Sequence, residues 1–211
     1  MNEPLEYWDN LFRDLDPETM DLPRSLPASA LPDFCDRYLK KGDRVLDLGC
    51  GSGRNAAYLA GRGFLVCGVD IAQGAVEFCV KRLAQLQLSG VFKQGTLENI
   101  PFPDNEFTAV VCIASLDHVT LDCASKSIDE IRRVLSESGV MLLTFDPPDT
   151  DEDIVDEAEI LPDGTLKFVS GDQKGMLFRR YSDREITDLV GEENIISFNN
   201  TRSGGRTVVC R

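Results

Sequence analysis

Val45-Leu46-Asp47-Leu48-Gly49-Cys50-Gly51-Ser52-Gly53-Arg54-Asn55-Ala56 is the stretch that decides the fold of this 211-residue chain. Val45, Leu46 and Leu48 form a short apolar run that suits a strand buried on both faces. Three glycines follow at alternate positions, and Ala56, Ala57, Leu59 and Ala60 then recur at helical spacing. Strand, glycine turn and helix bring a backbone close to a nucleoside-type ligand, because such a turn takes positive φ and presents no side chain to the ligand.

The glycine spacing by itself admits two ligands. Gly51-Ser52-Gly53-Arg54-Asn55-Ala56 fits G-x-G-x-x-A, the dinucleotide fingerprint. Asp47 argues the other way, since a carboxylate two residues before the first glycine repels a diphosphate but accepts from an amine or a hydroxyl. The order Asp47, Gly49, Gly51, Gly53 resembles, position by position, the first motif of the class I S-adenosylmethionine-dependent methyltransferases. The stretch from Gly95 to Phe107, GTLENIPFPDNEF, is similar to a longer motif of that family's ubiquinone-biosynthesis-like branch. Thr96 stands where the family often has an acid. Leu116-Asp117-His118-Val119 and Arg133-Val134-Leu135 with Gly139 follow the same pattern, without the family's proline before the glycine.

The resemblance implies S-adenosylmethionine as cofactor and places it residue by residue. Asp47 belongs to the cofactor set, with Gly49, Gly51 and Gly53 beside the methionine part. Asp70 takes the ribose, Ile71 packs on the ring, Thr96 and Leu97 meet the adenine, and the carbonyl side of Ile113 meets the ligand amine. Asp70 carries weight without the resemblance. An acid about 20 residues past a glycine turn offers two acceptors to a ribose, in nicotinamide enzymes as well. The implied activity is transfer of a methyl group to a small-molecule acceptor by in-line displacement. An NAD(P)-dependent oxidoreductase and a non-catalytic nucleoside-binding module are the alternatives.

His118 is the chain's one histidine and the general-base candidate; fixing its own loop is the competing role. Trp8, Phe168 and Phe178 suit an aromatic acceptor, and Arg179 suits a carboxylate or oxyanion acceptor.

The formal net charge of −14 argues against a nucleic-acid partner and against anionic membrane surfaces. Seven cysteines with no C-x-x-C pair indicate free thiols and a cytoplasmic location. The start, MNEPLEYWDN, lacks an apolar signal core, and no run approaches the roughly 20 apolar residues that cross a bilayer. Monomer and homodimer are both compatible with this composition.

Further strands are expected at 64–69, 91–94, 108–113, 140–145, 194–198 and 206–210, with a turn at 136–139 before the fifth. Helical patterns separate them. The sum is one α/β domain over residues 1–211, a Rossmann-like three-layer sandwich with a seven-stranded, mostly parallel sheet and an antiparallel last strand. Residues 1–24, with Leu5, Trp8 and Phe12 at helical spacing, form an N-terminal lid or strap. Residues 146–181 form an insertion over the site, an acidic helix across Asp149 to Glu159 followed by a hairpin. Asp149, Asp151 and Asp153 imitate a calcium loop, but Ile154 and Ile160 replace its glycine and glutamate, so no metal is expected.

Overall fold

Two cores are built on the two faces of one sheet by period-two alternation along its strands. The computed structural model describes residues 3–13, 26–147, 157–201 and 203–211. The first strands are β1 (Arg44–Leu48), β2 (Leu65–Asp70), β3 (Val91–Gln94), β4 (Phe107–Ile113) and β5 (Leu135–Phe145). Three short strands, β6 (Ala158–Ile160), β7 (Leu166–Phe168) and β8 (Leu177–Phe178), make a separate small sheet. β9 (Ile195–Asn200) and β10 (Arg206–Cys210) complete a main sheet ordered β3-β2-β1-β4-β5-β10-β9. In the main sheet β10 pairs antiparallel with both β5 and β9, and the other neighbours pair parallel.

On one face Val45, Val66, Ala109, Val111 and Leu142 pack against Phe34 of α2 (Leu31–Tyr38), Leu59 of α3 (Arg54–Gly61) and Leu83 of α4 (Gln73–Gln85). On the other, Leu46, Val69, Val110, Met141 and Val208 meet α5 (Leu121–Val134) through Ile128 and Ile131, and α6 (Asp183–Val190) through Ile186. Each such buried aliphatic side chain contributes about 1.5–3 kcal/mol relative to exposure, and burial on both faces is what a parallel sheet demands. Ser182 and Glu185 start α6 with a reciprocal capping box, as their spacing predicts.

β1 is central, with β2 in register on one side and β4 on the other, and Leu48 faces both Val69 and Cys112. The chain leaves β1 toward β3 and returns to β4 on the opposite side. That reversal opens a crevice at the carboxyl ends of β1 and β4, where open α/β sheets bind ligands.

Two local expectations are corrected. The turn at 136–139 lies inside β5, which starts as α5 ends. Phe107 pairs with Leu135 and Ala109 with Val140, so β5 absorbs the extra residues as an irregularity within the ladder. Gly139 permits this, because a Cβ there would stand 2.9 Å from the Ser136 carbonyl oxygen. The acidic helix fails at its carboxyl end: Ala158–Ile160 is β6, antiparallel to β7 around a turn at residues 161–165. Alternation hid this strand, since Glu159 and Ile160 both face outward. The run from Asp149 to Asp156, with the calcium-loop imitation, lies outside the described residues, as do residues 14–24 of the expected strap.

The first part of that strap is α1 (Glu3–Arg13). Phe12 packs on Gly74 of α4, Asp9 Oδ1 accepts from the Gln73 N–H at 3.1 Å, and Glu3 pairs with Lys167 of β7 at 2.5 Å. α1 therefore bridges the main domain and the small sheet, across the mouth of the crevice. No described helix is long and apolar enough to cross a membrane. All seven cysteines are free thiols, and only Cys123 is not fully buried.

Candidate functional site

The glycine turn is pinned from below. The N–H groups of Gly49 and Cys50 both donate to the Val69 carbonyl, at 2.8 and 3.0 Å, tying the turn to the end of β2. The Gly51 N–H donates to Asp70 Oδ2 at 2.8 Å, and the Ala72 N–H to Oδ1 at 3.0 Å. From α4, Cys79 Sγ donates to the Gly51 carbonyl at 3.2 Å and Arg82 Nη1 to the Ser52 carbonyl at 2.8 Å. Gly49 and Gly53 have φ of +74° and +71°. A Cβ on Gly49 would lie 2.2 Å from Ser115 Oγ, and one on Gly53 2.8 Å from Cys79 Sγ. These two glycines are required by the protein's own packing as well as by φ. Gly51 is the one of the three whose Cβ would enter space beside the cavity, 3.5 Å from the Phe12 ring.

A cavity of about 330 Å³ lies above the carboxyl ends of β1, β2 and β4. Gly49, Gly51, Asp70, Ile71, Thr96, Leu97, His118 and Trp8 all line it, so eight of the sequence-predicted residues come together. Six do not. Asp47 is buried in β1 beneath the turn, and Gly53 rests on Cys79. Ile113 is a core side chain whose carbonyl accepts from Ser115 Oγ at 3.1 Å. Phe168 is buried beside a separate groove under α1, and Phe178 sits against the His118 ring, 5.9 Å between centroids. Arg179 is 4% exposed and committed to Glu185 at 2.6 Å and to the Asp163 carbonyl, so an acceptor anion finds it already engaged.

Ser115, Glu98, Cys123 and Leu177 also line the cavity and were missed. Glu98 lay in plain sight within GTLENIPF, while the other three carry no sequence signal because loop closure brings them in. Ala114, at φ +50°, turns the backbone after β4 and delivers Ser115 to the turn.

His118 ends a 3-10 turn, Leu116–His118. Its Nδ1 lies 3.1 Å from the Leu177 carbonyl, which can only accept. Nδ1 therefore carries the proton and Nε2 the lone pair. Burial pushes its pKa below the ordinary value, so the ring is neutral near pH 7. Trp8 stands edge-on to it with centroids 5.2 Å apart. Beneath, burial and the neighbouring Asp146 push the Asp117 carboxyl up to about 8, and Asp117 Oδ2 accepts from the Asp146 N–H at 3.3 Å.

Two carboxylates dominate the electrostatics under the turn. Burial pushes Asp47 up to about 7, with Asp70 adding repulsion, and burial also raises Asp70. Asp47 Oδ2 is buried with no hydrogen-bond partner among the described residues. Such a floor offers a diphosphate no positive charge, whereas a cationic ligand draws its carboxyls toward the ionised form. S-adenosylmethionine, with its sulfonium and amine, fits the turn, the paired acceptors of Asp70 and the acidic floor.

Comparison with known proteins agrees. Residues 45–139 match the family described as the methyltransferase domain. A fatty-acid O-methyltransferase of Mycolicibacterium smegmatis is 34% identical over 134 residues, 62% of this chain and 46% of that protein. The chain spans about half the length of the curated relatives it matches. A protein of Pyrococcus horikoshii superposes with a TM-score of 0.72 at 20% identity, over 96% of this chain and 98% of that one. An S-adenosylmethionine-dependent methyltransferase structure from Methanosarcina mazei gives 0.68 at 23% identity, over 83% and 95%. The two superpositions establish the fold. The family match makes residues 45–139, a stretch that holds the glycine turn and Asp70, similar to a methyltransferase domain.

Proposed function

We propose that the chain transfers a methyl group from S-adenosylmethionine to a small-molecule acceptor. The observation that carries this is the pair of buried carboxylates, Asp47 and Asp70, beneath a glycine turn that lines the cavity. They favour a cationic nucleoside ligand and disfavour the dinucleotide of the oxidoreductase alternative. In this reading Asp70 holds the ribose while keeping its bonds to Gly51 and Ala72. Ile71 and Leu97 pack against the adenine, and Thr96 offers a hydroxyl where the family often has an acid. Asp47, buried below, acts on the cofactor through the turn and not by contact.

When bound, the cofactor supplies a methyl group already activated by the positive sulfonium. The chain's residues then have three tasks. The turn and the Ser115 segment orient. Such alignment is worth of order 7–11 kcal/mol in favourable intramolecular cases. Trp8 and Phe12 of α1 exclude water from the cavity, which is the lid role expected of the N-terminal segment. His118 Nε2, neutral and unprotonated, takes the proton of an acceptor hydroxyl or thiol. The small sheet β6-β7-β8 contributes Leu177 to the cavity and the carbonyl that sets the His118 tautomer. The acidic chain suits a small acceptor in the cytoplasm better than a nucleic acid.

Titration calorimetry with S-adenosylmethionine, S-adenosylhomocysteine and NADH side by side tests this. Micromolar binding of the two adenosyl ligands alone is expected. Binding of NADH in their place would overturn the proposal.

A further inference from the structure

We propose that the acceptor end of the cavity takes a neutral or cationic apolar molecule and rejects carboxylates and other anions, with Glu98 as the specificity-determining residue. The inference rests on reading the cavity as a methyltransferase site.

Beyond the groups assigned to the cofactor, the wall is formed by Trp8, Val119 and Leu177 on the apolar side and by Thr120, Cys123 and Glu98 on the polar side. The charged side chains that reach the cavity are Asp70 and Glu98, both carboxylates. Among the described residues no Lys or Arg lines it. Arg179, the cation that the sequence offered to an anionic acceptor, is buried and held by Asp163 and Glu185.

The one feature that would attract an anion is the start of α5, since a helix N-terminus carries partial positive charge. That end is already served. The Leu121 N–H donates to Asp163 Oδ2 at 2.8 Å, and the Cys123 N–H to Thr120 Oγ1 at 3.3 Å. Asp163 and Thr120 thus already take up two of the N–H groups that an acceptor anion would use. The Cys123 thiol adds no charge of its own: burial and the Glu98 carboxylate push it up to about 12, so it stays neutral. Glu98 sits on a tight turn closed by Asn99 N–H donating to the Thr96 carbonyl at 3.3 Å, which holds its Cα at the cavity edge while its side chain remains exposed. An approaching carboxylate therefore meets a like charge with no Lys or Arg among the described lining residues to offset it, and an ammonium meets an opposite one.

The test uses the full chain saturated with S-adenosylhomocysteine and three probes of similar shape: phenol, benzylamine and benzoate. Trp8 is the chain's single tryptophan, so its fluorescence reports occupancy without turnover. Phenol and benzylamine are expected to bind about tenfold more tightly than benzoate, the scale of one unit-charge contact in a partly wet site. The benzylamine advantage should shrink in high salt, because Glu98 is exposed. Glu98→Lys should reverse the order of benzylamine and benzoate, and Glu98→Gln should narrow the gap. Both change an exposed side chain and should melt like the wild type. Benzoate binding as tightly as phenol, an unchanged order in Glu98→Lys, or no response to any probe at millimolar concentration would overturn the proposal. Failure of S-adenosylhomocysteine itself to bind, measured first by calorimetry, would overturn the methyltransferase reading and this inference with it.

Discussion

Asp70→Ala strikes the arrangement where most bonds converge. Asp70 Oδ2 accepts from the Gly51 N–H at 2.8 Å and Oδ1 from the Ala72 N–H at 3.0 Å. The alanine variant leaves both donors without a partner, and Ala72 is fully buried. A hydrogen bond to an ionised acceptor contributes about 1.5–3 kcal/mol, so the two set an upper limit of about 6 kcal/mol. Burial raises the Asp70 pKa, which shows that desolvation of the carboxylate offsets part of that gain. A net loss of about 2–4 kcal/mol is expected, or about 5–15 °C in melting temperature for a domain of this size. Asp70→Asn keeps the shape and one acceptor oxygen and should lose about half as much. In cofactor binding the ribose loses its acceptors as well, and the turn loses its brace. Affinity for S-adenosylhomocysteine should fall by about 100-fold or more in the alanine variant. Thermal unfolding followed by circular dichroism, with calorimetry on the adenosyl ligand, reads both. An alanine variant that melts within about 1 °C of wild type and binds the ligand equally well would refute the assignment of Asp70 to turn and ribose alike.

Gly49→Ala should destabilise by about 1–3 kcal/mol from the positive φ alone and by more from the clash with Ser115 Oγ. Adding Ser115→Gly should recover the second part but not the first, as chemical denaturation would measure. Asp47 binds its proton up to about pH 7 when folded but only up to its ordinary value near 4 when unfolded. Its contribution therefore falls as pH rises through that window, and Asp47→Asn should be the more stable form at pH 8, by up to about 4 kcal/mol, with the gap closed at pH 4. Asp117, raised to about 8, acts in the same direction, so the single variant should flatten only part of the pH profile of unfolding. His118 becomes cationic only below its ordinary pKa, so acidification should quench Trp8 with a midpoint under about 6.5. His118→Phe should abolish that titration in a fluorescence experiment while leaving the protein folded.

What the sequence determined by itself was the part of the molecule whose physics is local. The run Val45 to Leu48, the alternate glycines and the acid at Asp70 specify strand, turn, helix and second strand within one continuous segment. A both-faces-buried strand and a glycine at positive φ leave few other structures open. The same locality made the α6 capping box and the amphipathic α1 legible. Partners that meet only across the fold were not legible. Gly49 and Gly53 looked like concessions to a ligand, yet their nearest obstacles are Ser115 and Cys79, which are remote in sequence. Arg179 read as a partner for an anionic acceptor and is a buried strut between Asp163 and Glu185. β6 read as part of a solvated acidic helix, because its strand character comes from pairing with β7 and not from its own residues. Tertiary structure alone decided the wall of the cavity. A residue's neighbours there are set by the loops after β3 and β4, by the start of α5, by β8 and by α1 laid across them. No periodicity within one segment encodes which side chain of another will face it.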